Sequence, residues 1–429
     1  MDNKYCVKQI KEKSEIFVEV PGSKSITNRA LLLAAISECK CRVKGILFSD
    51  DSRAFLDCLQ KLGFDVDVNE CEKEVTIQGT GGRIPNRQAS VNVRSAGTAA
   101  RFLTVMLAFA GGNYEMNASE QMCKRPMQPL LQVLQEAGVC FEFLGEEGHF
   151  PFRMKADKLN MDEVSIDTKV SSQFASALLM SAALSENGLR ISMSGDRTEG
   201  SYIRMTLAMM EQFGLRFQKE NGAIYVPAQK HFGVVTYQVE PDVSGACYFY
   251  AMAPLLKTDV IVKNVHQESL QGDIKFIDAL EKMGCKVSET PEGILVSGKH
   301  LEDYEGLTIS MKDFSDQTMT MAAIAPFAKT PTYIQNVGHI RFQESDRISA
   351  IITELNKMGI VCREMPETEG IYIEPGTVRE TEVETYEDHR MAMAFSLIGV
   401  KTGKITILNP GCCKKTFENF FEVLESVTE

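Results

Sequence analysis

The chain has 429 residues, 44% of them apolar and 24% charged, and a net charge of −12. That length suits about two to three domains with large cores. The acidic balance excludes a general nucleic-acid binder, which needs a basic footprint, but it is compatible with a locally basic pocket for a small anion.

The predicted elements start at Pro21-Gly22-Ser23-Lys24-Ser25-Ile26-Thr27-Asn28-Arg29, where a turn dipeptide leads into an apolar run, Ala30 to Ile36. This order predicts a loop entering a buried helix. The first turn of a helix exposes unpaired N–H groups and the positive dipole end, and both favour an anion. Lys24 and Arg29 add full charge beside it. An ordinary N-cap with two solvated cations is the other reading of this stretch alone.

Further along, the same device repeats. A polar residue precedes a nearly all-apolar helix at Ser25, Thr98, Ser172, Ser244, Asp316 and Asp388, in steps of 73, 74, 72, 72 and 72 residues. These side chains are expected to act as N-caps, and helices apolar all round are expected to be buried. A second marker is a glycine where the apolar period changes from about 3.6 to about 2. It falls at Gly63, Gly138, Gly214, Gly284 and Gly359, at intervals of 75, 76, 70 and 75 residues. Strands are expected at 74–77, 191–193, 260–262, 307–309 and 404–408, and a closing helix at 417–427. The chain therefore reads as six copies of one α/β unit, each with helices packed behind a sheet. Two domains of three units fit best; an open solenoid is the alternative, although its repeats are usually shorter.

The N-terminus, Met1 to Cys6, has no apolar signal segment, and the purest apolar run, Phe174 to Leu184, is too short to span a membrane. Twelve cysteines without paired spacing, and six scattered histidines, predict reduced thiols in the cytoplasm and no metal site. No dinucleotide-binding or P-loop glycine pattern occurs, and no cofactor is expected.

Cations gather near the repeat starts: Lys24 and Arg29; Arg94, Arg101, Lys124 and Arg125; Arg341, Arg347 and Arg390; Lys414 and Lys415. The third repeat opens instead on Ser171-Ser172-Gln173. An acidic protein that concentrates cations at helix starts is suited to a small polyanion. Acids lie among them. Glu344 and Arg347 stand at i, i+3, while Asp316 and Asp388 open helices and read either as caps or as acid–base groups. His389 reads either as a packed histidine or as a base.

Several stretches together carry a resemblance: PGSKSITNRALLLAA (21–35), AGTAARF (96–102), KRPM (124–127), SSQFASALLM (171–180), SYIRMT (201–206), ESDR (344–347), DHRMAMAFS (388–396) and KKTF (414–417). From about residue 15 to the end the chain resembles the 5-enolpyruvylshikimate-3-phosphate (EPSP) synthases, or 3-phosphoshikimate 1-carboxyvinyltransferases. The resemblance implies the inverse α/β fold, with two lobes of three βαβαββ-type repeats and buried parallel helices. One lobe would span 23–239, the other 1–22 plus 240–429, with the active site in the interlobe cleft. It implies transfer of the enolpyruvyl group of phosphoenolpyruvate to the 5-hydroxyl of shikimate 3-phosphate, with loss of phosphate, by a monomer.

Carried over residue by residue, Lys24, Ser25, Arg29, Ser171, Ser172, Gln173, Tyr202 and Asp316 would meet shikimate 3-phosphate. Lys24, Gly97, Arg125, Gln173, Arg347, Arg390 and Lys415 would meet phosphoenolpyruvate. Asp316 is similar to the family's acceptor of the hydroxyl proton; Glu344 and Lys24 would handle protons at the methylene carbon and the leaving group. Departures from the family pattern occur at Ser95, Phe102, His339 and Gln343, and Glu199 fills a serine position beside Ser201. The sister enzyme acting on UDP-N-acetylglucosamine is one alternative, but Glu120 stands where its reactive cysteine would be. A non-catalytic anion-binding protein of the same fold is the other.

Overall fold

The computed structural model describes residues 3–10, 13–157, 159, 161–169, 171–195, 198–220, 222–229 and 231–428. The chain divides into two compact units, one of residues 1–21 and 240–429, the other of residues 22–239. Gly22 thus belongs with residues 23–239, one residue earlier than the sequence reading placed the boundary.

Each unit contains three repeats. In the 22–239 unit the buried helices are Lys24–Ile36, Gly97–Ala110 and Ser172–Ser181, each followed by an outer helix: Asp50–Lys61, Gln128–Glu136 and Ser201–Gln212. In the other unit the buried series is Val243–Tyr250, Thr318–Ile324 and His389–Thr402, and the outer series Lys275–Lys282, Arg347–Lys357 and Phe420–Thr428. The buried helices form because they carry apolar side chains on every face: every residue from Ile26 to Ile36 is out of water, as is every residue from His389 to Val400.

Five outer helices stop in the same way. Gly63, Gly138, Gly214, Gly284 and Gly359 have φ of 87°, 98°, 82°, 102° and 83°, the left-handed region that a Cβ disfavours. One residue further on, an amide turns back to the last turn, as in Phe64 N to Leu59 O at 3.0 Å and Ile360 N to Leu355 O at 3.0 Å. This is the Schellman closure. The chain then reverses into a strand.

Among the described residues six sheets result, five of four strands and one of three. The second repeat shows the common plan: Gln88–Asn92 lies parallel to Gly112–Asn117 (Gln88 opposite Asn113), which pairs antiparallel with Phe152–Ala156, and that with Cys140–Phe143. The Gly97–Ala110 helix makes the parallel crossover.

At the two points where the chain passes between units, the opening strands are exchanged. Glu15–Val18 precedes the Lys24–Ile36 helix, yet it pairs with Asp259–Val262, Ile16 opposite Val260. Thr236–Gln238 precedes the Val243–Tyr250 helix, yet it pairs with Lys40–Lys44. Lys4–Cys6 pairs antiparallel with Ile405–Leu408 of the last repeat. The last repeat of each unit is thereby tied to the first, which is why the repeats close on themselves rather than extend as a solenoid.

Two expectations need correction. Of the six polar markers only Asp388 caps its helix, accepting from Arg390 N at 2.9 Å. Ser25, Thr98, Ser172 and Ser244 lie inside the first turn, and the caps are Ser23, Ala96, Ser171 and Asp242. Asp316 lies in a short 3-10 turn, Ser315–Gln317, with its carboxylate directed to arginines instead of backbone. The closing helix starts at Phe420, three residues later than expected; Phe417 lies before it and packs edge-on against Phe420, centroids 5.5 Å apart.

Candidate active site

In the 22–239 unit the three buried helices pack side by side, and their first turns carry the predicted residues. Lys24 and Ser25 open one helix, Gly97 another, Ser172 and Gln173 the third after the Ser171 cap. Tyr202 lies in the first turn of the Ser201–Gln212 helix. Lys24 is held 3.4 Å from Asp51.

Arg29, only 1% exposed, crosslinks these helices. Its Nε donates to Thr206 Oγ1 at 2.8 Å, Nη1 to Ser25 O at 3.0 Å, and Nη2 to Ser176 Oγ at 3.2 Å. Its guanidinium also stacks near Phe102 and Tyr202, at 5.3 and 5.7 Å. These partners are neutral, so burial pushes its pKa down to about 10, and it remains a cation at neutral pH. Phe102, a departure from the family pattern, is this packing partner.

Arg125 lies against Gly97. A Cβ at position 97 would come within 2.6 Å of Arg125 Nη1 and 2.8 Å of Arg101 Nη1. Buried polar atoms are nearly always hydrogen-bonded. Arg125 Nε and Gln173 Oε1 are buried here without a hydrogen-bond partner.

In the other unit, five predicted residues from four separate stretches converge on one ionic cluster. Arg347, 1% exposed, is its hub. Nε donates to Asp388 Oδ2 at 2.8 Å, Nη1 to Asp316 Oδ1 at 3.0 Å, and Nη2 to Glu344 Oε2 at 2.9 Å. Gln343, another departure, accepts from Nη1 as well. Arg390 Nη2 donates to the other oxygen of Asp316 at 2.9 Å, and Lys415 Nζ stands 3.5 Å from Glu344 Oε1. Lys415 Nζ is a third buried atom without a hydrogen bond. Burial alone would lower the Arg347 pKa, but Asp388, Glu344 and Asp316 outweigh it and raise it above the usual arginine range.

Arg390 also reaches Ser244 Oγ and Tyr248 Oη, both at 3.5 Å. The starts of the Val243–Tyr250 and His389–Thr402 helices therefore meet at Asp316, and their dipoles add to the arginines. The cluster thus sets three cations among the carboxylates of Asp316, Glu344 and Asp388.

Other predicted residues fall elsewhere. Arg94 pairs with Asp57 at the surface, and Arg341 with Asp346 and Glu364. Lys124 and Lys414 are exposed. His389 is buried 3.8 Å from Asp388. His339 is bonded to Ser315 Oγ at 2.7 Å, and Ser95 to Ser119 at 2.7 Å. Glu199 is exposed, and Ser201 buried. Sequence reasoning missed Asp51, Asp273 and Gln317. Asp51 sits in Ser49-Asp50-Asp51-Ser52, which reads as a plain helix start, and Asp273 in a Gln-Gly-Asp turn that carries no charge signal of its own.

The sequence matches the profile of the EPSP synthase (3-phosphoshikimate 1-carboxyvinyltransferase) family over residues 9–424. The chain belongs to that family. It is 39% identical to the 3-phosphoshikimate 1-carboxyvinyltransferase of Trichormus variabilis over 94% of both chains. It is 37% identical to that of Neisseria gonorrhoeae over 96% of both. An EPSP synthase structure from Acinetobacter baumannii superposes with a TM-score of 0.82 at 24% identity, covering 99% of this chain and 98% of that one. The fold is the inverse α/β fold of two three-repeat units, and the chain is an enzyme of this family. The alternative reading as a UDP-N-acetylglucosamine enolpyruvyl transferase is not favoured.

Proposed function

We propose that the residues gathered above carry the family's reaction, transfer of the carboxyvinyl group of phosphoenolpyruvate to the 5-hydroxyl of shikimate 3-phosphate. Protonation of C3 of phosphoenolpyruvate turns its methylene into a methyl group and builds positive charge on C2. The 5-hydroxyl oxygen bonds to C2 and gives its proton to Asp316. C3 then returns a proton, the bond from C2 to the phosphate oxygen breaks, and inorganic phosphate leaves with its electron pair.

Each role follows from chemistry. Asp316 is suited to the base role because two arginines fix both its oxygens. Glu344, beside Lys415, is suited to proton exchange at C3, and its carboxylate favours positive charge at C2. Lys24 serves both substrates and the leaving phosphate. Arg125, Arg347, Arg390, Lys415, Gln173 and the backbone at Gly97 hold phosphoenolpyruvate; Ser25, Arg29, Ser171, Ser172, Gln173 and Tyr202 serve shikimate 3-phosphate. We also place the enzyme in the cytoplasm as a monomer. Among the described residues no helix is long and apolar enough to cross a membrane.

The observation that carries this reading is the convergence of Asp316, Glu344, Arg347, Arg390 and Lys415 on one buried cluster. Asp316→Ala tests it. Turnover should fall by about 10²–10⁴-fold, with shikimate 3-phosphate binding still measurable by calorimetry. Undiminished turnover would remove Asp316 from the mechanism.

A further inference from the structure

Asp273 is a buried carboxylate of the same cluster for which the reaction scheme has no use. It lies in the 3-10 turn Gly272–Ile274 and is 7% exposed. One oxygen, Oδ2, accepts from the Ser244 hydroxyl and from Gln317 Nε2, the latter at 3.1 Å. The two donors lead by opposite routes to the same place. Ser244 Oγ accepts from Arg390 Nη2, which also donates to Asp316. Gln317 is the chain neighbour of Asp316, and its Oε1 accepts from Thr320 Oγ1 at 2.9 Å, so its amide is fixed at both ends. The ring Asp273, Ser244, Arg390, Asp316, Gln317 is closed.

Both direct donors are neutral, and a carboxylate buried among neutral partners is costly. Burial first, and then the charge of Asp316, push the Asp273 carboxyl above its ordinary range, with Arg390, Ser244 and Gln317 opposing. The two acids therefore sense each other. Other ionisable groups around the ring are Arg347 with Asp388 and Glu344 on one side, and on the other Tyr248, Asp242 and Cys247, whose Sγ donates to Asp273 O at 3.5 Å.

We propose that Asp273 is a positioning residue for the transfer reaction: it clamps Ser244 and Gln317, thereby setting Arg390 and Asp316. This rests on Asp316 being the acceptor of the hydroxyl proton.

Asp273→Asn keeps the clamp, because the amide oxygen can still accept both donors, and should retain most of kcat. Asp273→Ala removes the clamp; it should lower kcat several-fold and raise the KM for phosphoenolpyruvate through Arg390, with shikimate 3-phosphate affinity by calorimetry little changed, so that Asn rescues. Undiminished kcat in folded Asp273→Ala protein, or an equal loss in the Asn variant, overturns the proposal. If Asp273→Ala does not fold, Gln317→Ala takes its place: it removes one strap of the clamp and should give the same split between kcat and affinity, and unchanged kinetics there is equally decisive. Asp316→Ala is measured alongside. Full turnover in that variant overturns the base assignment itself, whereas lost turnover there with unchanged kinetics in Asp273→Ala overturns only the role of Asp273.

Discussion

At position 97 a single methyl group is enough to displace a guanidinium. The Cβ of an alanine would lie 2.6 Å from Arg125 Nη1, inside any real contact distance, and the flexible arginine would yield before the buried helix did. Gly97→Ala is therefore expected to raise the KM for phosphoenolpyruvate severalfold and to leave shikimate 3-phosphate affinity and folding almost unchanged; steady-state kinetics and calorimetry on the purified variant check this. Equal losses for both substrates would contradict the placement. At this scale the sequence showed which residue types matter but not how they pair. Arg347 next to Glu344 was legible from i, i+3 spacing, and the ion pair forms at 2.9 Å. That Asp316 and Asp388, 31 residues before and 41 after Arg347, share its guanidinium was not, because pairing over that distance is a product of the fold. The same is true of Arg94 and Arg341, whose sequence context resembled that of the site cations but whose partners are surface acids.

At the scale of elements, the repeat was legible because its punctuation is local. A glycine that must adopt positive φ, followed by a change of apolar period, marks the end of a helix wherever it occurs. The helix starts were less legible, since Ser, Thr and Asp suit the first turn as well as the cap. The exchange of opening strands left no trace in the sequence: Glu15–Val18 has the alternation of any half-buried strand, and nothing in four residues names its neighbour. Its pairing with Asp259–Val262 gives a direct prediction. Ile16 is 1% exposed in the core of the 1–21 and 240–429 unit. Ile16→Ala should destabilise the protein by about 2–5 kcal/mol, measured by denaturant unfolding. A loss below about 0.5 kcal/mol, the range of neutral surface changes, would mean that the strand is not integral to that unit.

The whole molecule is an acidic protein, at net charge −12, so holding the anionic substrates proposed for it falls to local means. Helix starts, arginines shielded from water and a few lysines set the field where it is needed, while the surface carries the opposite sign. Repeat architecture supplies this economically: the helix start is made six times, and each copy is decorated differently. Copies in the 22–239 unit carry hydroxyls, an amide and separated cations; those in the other unit carry acids interleaved with arginines. The former suits holding a substrate and the latter moving protons. The most direct measurement is phosphate release when the purified protein is mixed with phosphoenolpyruvate and shikimate 3-phosphate, with a UDP-amino sugar as the competing acceptor. Release with shikimate 3-phosphate and none with the UDP-amino sugar is the predicted result; no release with shikimate 3-phosphate, but release with the UDP-amino sugar, would contradict it.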